Sequence, residues 1–92
     1  RVFDPAKDDP LTLPQAFDSK PAGTLEQFKA AIGQARDGKI AVITFHGVPD
    51  IRHPWVNTDP AKFEAYLAAL KEARCQVVAM RDLARYLPPA AK

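Results

Sequence analysis

The residue of this sequence best suited to chemistry is His46, which follows an apolar segment ending at Phe45. An imidazole group titrates near neutral pH and can move a proton at a reacting centre. In parallel sheets, ligands bind at the carboxyl ends of the strands, where His46 is expected to lie. A histidine there can serve as a general acid or base, or can pack and form local hydrogen bonds, and position alone leaves both roles open.

A long loop is predicted directly behind His46, over residues 46–58. Connections of about two to six residues are usual in α/β units, so a loop of this length at the end of a strand is often the wall of a site. Trp55 in this loop is either a platform for a sugar ring or a hydrophobic plug that holds the loop down, the plug being the commoner role.

Three residues of the same loop, His46, Asp50 and His53, carry atoms that can bind a metal ion. Two prolines interrupt the segment, and an irregular loop gives no reason for the three side chains to converge. We therefore predict no metal site in this chain and expect His53 to be a loop residue without a catalytic role.

The composition limits the remaining classes of function. The chain has 92 residues, enough for one small domain, and its apolar fraction of 47% is typical of folded proteins. Thirteen basic and eleven acidic residues give a net charge of +2, and the basic residues are scattered, which argues against a nucleic-acid surface. No apolar stretch is long enough to span a membrane, and a single cysteine excludes an internal disulfide.

Apolar periodicity and capping signals predict the elements that position His46. Residues 1–23 contain four prolines and should be irregular, with a short edge strand at 11–13. Thr24 and Gln27 form a capping box, and Asp59 followed by Pro60 starts a second helix. The predicted order from residue 24 to 87 is helix, strand, loop, helix, strand and helix, at 25–37, 39–45, 46–58, 60–73, 76–80 and 81–87.

The two predicted strands are apolar on both faces, which is typical of a parallel sheet covered on both sides. We therefore expect 40–45 and 76–80 to be parallel neighbours, with helices 60–73 and 25–37 packed on them. A two-stranded sheet is marginal alone, so we expect an incomplete domain whose missing strands lie in an upstream part of the same polypeptide, N-terminal to Arg1. The alternative is a small complete domain in which 11–13 is a third strand.

Three segments resemble the C-terminal end of a polysaccharide deacetylase domain, a carbohydrate esterase family that includes chitin-deacetylase-like enzymes. They are AVITFHGVPD at 41–50, HPWV at 53–56 and, after a helix beginning near Phe63, VVAMRDLARYL at 77–87. The resemblance covers 38–87 and is weak before residue 38. Its most specific element is the histidine that ends the strand.

The resemblance implies a distorted (β/α) barrel with parallel strands and metal-dependent removal of acetyl groups from N-acetylated sugars. In the family, residues on earlier strands bind a divalent metal, usually zinc, and supply the base. His46 matches the acid that protonates the leaving amine. Thr44 stands where many members place the leucine of the acetyl pocket, and Thr44, Phe45 and Trp55 are the expected substrate contacts.

The earlier metal-binding motifs are absent from these 92 residues, so the chain is expected to be inactive alone and to bind no metal. The runner-up function is a small, non-catalytic α/β binding or assembly module. The expected partners are an N-acetylated carbohydrate and the upstream part of the polypeptide, with no nucleic acid and no membrane span. The resemblance is compatible with a cell-envelope or secreted location, which the sequence does not decide.

Overall fold

Two short strands, β1 (Phe17–Asp18) and β2 (Ile43–Thr44), pair in parallel in the computed structural model, which describes residues 1–87. Phe17 lies opposite Ile43, and Asp18 lies opposite Thr44. The backbone N–H of Ser19 continues the pairing by donating to the carbonyl of Thr44 at 2.9 Å. The chain is therefore a small mixed α/β domain with a parallel sheet.

The prediction of a strand at 76–80 is wrong, and so is the prediction that this segment pairs with 40–45. Among the described residues the sheet has only two strands, and β1 takes the place beside β2. Residues 76–79 have no regular structure, and Val77 is 75% exposed. Apolar, β-branched residues form a strand only where they pair with a neighbouring backbone edge, and this segment pairs with none among residues 1–87.

The N-terminal segment contributes to the sheet at different residues from those predicted. Phe3 is fully buried and forms an antiparallel bridge with Ile40, each accepting a backbone hydrogen bond from the other, at 2.7 and 2.9 Å. Residues 11–13 form no strand, and Leu11 is 90% exposed. The proposed third strand at 11–13 is therefore wrong.

The first helix, α1 (Leu25–Ile32), has the predicted start and ends earlier than residue 37. The capping box is confirmed, since Thr24 Oγ1 accepts from the N–H of Gln27 at 3.1 Å and Gln27 Oε1 accepts from the N–H of Thr24 at 3.0 Å. Gly33 is the C-cap, because glycine is a poor helix former. Gly38, at φ +81°, lies instead in the turn that leads to β2.

The second helix, α2 (Pro60–Glu72), begins as predicted, with Asp59 as N-cap and Pro60 in the first turn. Its inner face is centred on Tyr66 and Ala69, whereas Leu67 is half-exposed. Short 3₁₀ helices cover Pro54–Val56 and Met80–Tyr86, the latter in place of the predicted closing helix. Within residues 1–87, no helix has the length and apolar character needed to cross a membrane.

Three aromatic rings form the centre of the core, where β1, α1 and α2 meet. Phe28 stacks on Tyr66 with ring centroids 4.3 Å apart, and Phe17 meets both rings edge-on at 5.3 and 5.6 Å. Phe28 and Tyr66 are fully buried. This cluster fixes β1, which carries Asp18, against the two helices.

One prediction concerns the hydroxyl of Tyr66, which is buried and has no hydrogen-bond partner among the described residues. Burial raises the pKa of Tyr66 above its usual value. The folded state therefore holds this proton more firmly than the unfolded state, and the associated stability is lost as pH rises from about 10 through the folded pKa. Tyr66→Phe should keep or increase the free energy of unfolding at pH 7, by up to about 1 kcal/mol, and should reduce the alkaline loss.

Urea denaturation followed by circular dichroism at pH 7 and at alkaline pH measures both effects. Tyr86→Phe is the matched control, since the side chain of Tyr86 is half-exposed and its hydroxyl accepts from Gln76. The prediction is contradicted if Tyr66→Phe lowers the free energy of unfolding at pH 7 and loses as much of it at alkaline pH as the wild type does. That result would show that the hydroxyl has a hydrogen-bond partner.

Candidate functional site

The candidate site lies where the two parallel strands end. Nε2 of His46 lies 2.7 Å from Oδ1 of Asp18, within hydrogen-bond distance. The pairing of β1 with β2 places Asp18 opposite Thr44, two residues before His46. Both side chains are about one-third exposed, so the pair lies at the surface and can meet a ligand.

The contact with Asp18 distinguishes the two nitrogens of the His46 ring. Nε2 is engaged by the carboxylate, so Nδ1 is the nitrogen left to exchange a proton with a ligand. The second carboxylate oxygen, Oδ2, lies 3.9 Å from Nζ of Lys20. A histidine oriented by a carboxylate is the arrangement used for general acid or base chemistry.

Asp18 is the site residue that sequence reasoning missed. Its strand is two residues long and lies in the proline-rich segment that was predicted to be irregular. The available signal was the pair Phe17 and Asp18, an apolar residue followed by a carboxylate, which is too short to predict a strand.

The two predicted substrate contacts that precede His46, Thr44 and Phe45, lie on different sides of the strand. Thr44 is half-buried within β2 and lies opposite Asp18, close to the candidate site. The ring of Phe45 packs edge-on against Phe63 at 5.0 Å and lies 6.0 Å from Tyr66, on the side of the core. Thr44 is therefore the better placed of the two to meet a ligand beside His46.

The predicted loop is present, and its two ends are held together. Gly47 forms a parallel bridge with Asn57, and the N–H of Thr58 donates to the carbonyl of Gly47 at 3.1 Å. Trp55 is 66% exposed and meets the ring of His53 edge-on at 5.4 Å. A mostly exposed indole is not a buried plug.

The three potential ligands of the loop are engaged in two separate pairs. The side chain of His46 contacts Asp18, whereas Nδ1 of His53 lies 3.0 Å from Oδ1 of Asp50. Among residues 1–87 there is no group of three or more His, Cys, Asp or Glu side chains close enough together to hold a metal ion.

We accordingly expect the 92-residue chain to bind zinc weakly, because no described set of ligands converges. Isothermal titration calorimetry on the metal-free chain should show no one-to-one site with a Kd below about 1 μM. A tight site that is lost in both His46→Ala and His53→Ala would contradict this prediction and restore the loop as a metal centre.

The resemblance to polysaccharide deacetylases rests on the sequence segments 41–50, 53–56 and 77–87. No protein-family model, curated protein or solved structure matches this chain.

Proposed function

We propose that this chain is the C-terminal part of a metal-dependent hydrolase that removes acetyl groups from N-acetylated sugars or polysaccharides. In this proposal His46 is the acid. The observation that supports it best is the 2.7 Å contact between His46 and Asp18 at the ends of two parallel strands. That contact orients the imidazole at the place where parallel sheets bind their ligands.

The acid is needed because an amine leaves an amide only once its nitrogen is protonated. Water adds to the acetyl carbonyl and gives a proton to the base of the upstream part, the C–N bond breaks, and the nitrogen takes a proton from His46, giving acetate and a free amino group. Nδ1 is the proposed donor, since Nε2 is held by Asp18. The imidazole then regains a proton from water before the next turnover.

The metal of this proposal, expected to be zinc, does not fit the described residues, which offer no converging ligand set. Its ligands are therefore assigned to the upstream part of the same polypeptide, together with the base. In metallohydrolases such an ion activates water and polarises a carbonyl. It follows that the chain alone should be inactive.

The distorted (β/α) barrel belongs to the same proposal, and the free edge of β2 supports it. The backbone groups of Ile40, Val42 and Thr44 bond to the N-terminal segment and β1 on one side. Backbone groups alternate along a strand, so those of Ala41, Ile43 and Phe45 face the other side. No strand lies there among residues 1–87, and a third parallel strand would complete the pairing.

Asp18 is proposed as the residue that positions His46, and Asp18→Asn tests the assignment in the complete protein. We expect kcat on an N-acetylated oligosaccharide to fall about 10- to 100-fold with KM nearly unchanged, because the acid is then poorly oriented. Nitrogen NMR shifts of the His46 ring should also change, since Nε2 loses its carboxylate partner. Unchanged kcat and unchanged ring shifts would show that the contact has no role in the reaction.

The non-catalytic binding or assembly module is the second candidate, favoured by the lack of a metal-ligand set in residues 1–87. Acetate release separates the two candidates. A complete protein that binds acetylated saccharides and releases no acetate under any metal supplied would be a binding module.

A further inference from the structure

We infer that the loop between Gly47 and Asn57 carries a saccharide subsite, in which Trp55 and His53 bind a pyranose ring of an N-acetylated sugar chain. The inference rests on the proposed function and adds a second place of contact, separate from the acid at His46. Two independent features support it, a rigid loop and a polar group fixed beside an exposed indole.

The loop is held in one shape before any ligand arrives. Its ends are paired through Gly47 and Asn57, and Oδ1 of Asn57 also accepts from the N–H of Asp50 at 2.6 Å. A Cβ atom at Gly47 would lie 2.6 Å from Cβ of Asp50, so the chain closes here more tightly than any other residue allows. A loop fixed in this way loses little conformational entropy when it binds.

His53 is oriented by the carboxylate of Asp50. Oδ1 of Asp50 lies 3.0 Å from the backbone nitrogen of His53 and 3.0 Å from its Nδ1. With the Nδ1 hydrogen donated to Asp50, Nε2 is an acceptor available to a ligand hydroxyl. The side chain of His53 is 55% exposed, whereas that of Asp50 is 16% exposed, so the supporting carboxylate is covered and the imidazole is presented.

Trp55 stands at a right angle to that imidazole, with an interplanar angle of 90°. The exposed indole offers a flat apolar face, and the histidine offers a hydrogen-bonding nitrogen at its side. A pyranose ring is complementary to this pair, because its apolar C–H face can stack on the indole and the hydroxyl groups around its rim can hydrogen-bond to the histidine. Small ligands are usually oriented by a small number of polar groups placed beside an apolar or aromatic surface.

The position of the subsite suits a chain longer than one sugar. Trp55 is two residues from Asn57, which pairs with Gly47, the neighbour of His46. Three Cα–Cα steps and one inter-strand spacing therefore place the Cα atoms of Trp55 and His46 within about 16 Å of each other. The subsite would thus hold a sugar within a few units of the one that reacts.

Trp55 is the only tryptophan of the 92 residues, so the fluorescence of this chain reports the subsite directly. Titration with a β-1,4-linked tetramer of N-acetylglucosamine should quench or shift the emission with saturation, and the monomer should act more weakly. By calorimetry, Trp55→Ala should weaken tetramer binding about 10-fold and His53→Ala about 3-fold. Tyr86→Ala, which removes a half-exposed ring far along the chain from the loop, should change it less than twofold.

Several results would overturn the subsite. They are an emission unaffected by the tetramer, an equal loss of affinity in Tyr86→Ala, or an emission shift that follows protein concentration without saccharide, which would mean that a second copy covers the indole. The proposed function fails separately. If the tetramer binds in a way that depends on Trp55 and no acetate is released, the subsite stands and the proposed function is wrong. If acetate is released and Trp55→Ala binds the tetramer with normal affinity, the proposed function stands and the subsite is wrong.

Discussion

Replacing His46 with alanine in the complete protein should lower turnover on an N-acetylated oligosaccharide by a factor of about 100 to 10,000, the usual cost of losing an acid catalyst. The physical reason is that the amine remains a poor leaving group without a proton donor. His46 has the position for this role, at the end of β2 and in contact with Asp18. Initial rates of acetate release, measured at saturating and at low substrate, check the prediction.

The metal content separates the acid from a ligand role. In the acid role, His46→Ala keeps the full metal content of the wild type while kcat falls. Loss of rate together with loss of metal would mean that His46 is a ligand and that the proposed mechanism is wrong. His53→Ala is the matched histidine comparison, and its effect should be far smaller and should fall on KM, because His53 lies in the loop and pairs with Asp50.

The parts of the fold predicted from sequence are those with strong local signals. The capping box at Thr24 and the Asp59–Pro60 start of α2 place both helix beginnings correctly, because short-range hydrogen bonds and proline geometry determine them. The loop of 46–58 was also predicted, since two prolines and a glycine interrupt any regular period.

The parts that failed depend on contacts between distant residues. The apolar run at 76–80 has the composition of a strand, yet it pairs with neither strand of the sheet in residues 1–87. Conversely, β1 is only two residues long, and it is placed by its pairing with β2 and its contacts with α1. Strand propensity describes a half-buried surface and does not name the partner, so the sequence alone could not choose β1 over 76–80.

For the same reason, the sequence singles out only one of the two residues of the candidate site. His46 stands at the end of a recognisable apolar segment, whereas Asp18, 28 positions earlier, becomes its partner through the pairing of β1 with β2. A contact across two strands is visible in a sequence only when the register is known. The sequence does not decide whether Trp55 is a buried plug, because exposure is a property of the folded loop.

Phe28→Ala should be the most damaging single change to the fold, lowering the free energy of unfolding by about 3 to 5 kcal/mol. Phe28 is fully buried, stacked on Tyr66 and edge-on to Phe17. Its removal leaves a cavity between three elements that have few other large residues to fill it. Because small domains are stable by only about 5 to 15 kcal/mol, the loss should be visible as a large drop in the urea midpoint.

Leu11→Ala is the matched control, since it also truncates a large apolar side chain, one that is 90% exposed. We expect a change below about 0.5 kcal/mol there. Equal losses for the two variants would mean that Leu11 is packed and that the aromatic cluster is not the centre of the core.

Phe28→Ala also tests how the core supports the candidate site. Phe17 packs on Phe28 and is followed by Asp18, so the aromatic cluster sets the position of the carboxylate that holds His46. Under conditions where Phe28→Ala remains folded, the nitrogen NMR shifts of the His46 ring should move toward those of Asp18→Asn. Ring shifts identical to the wild type would show that β1 is held by its pairing with β2 alone, and that the core and the site are independent.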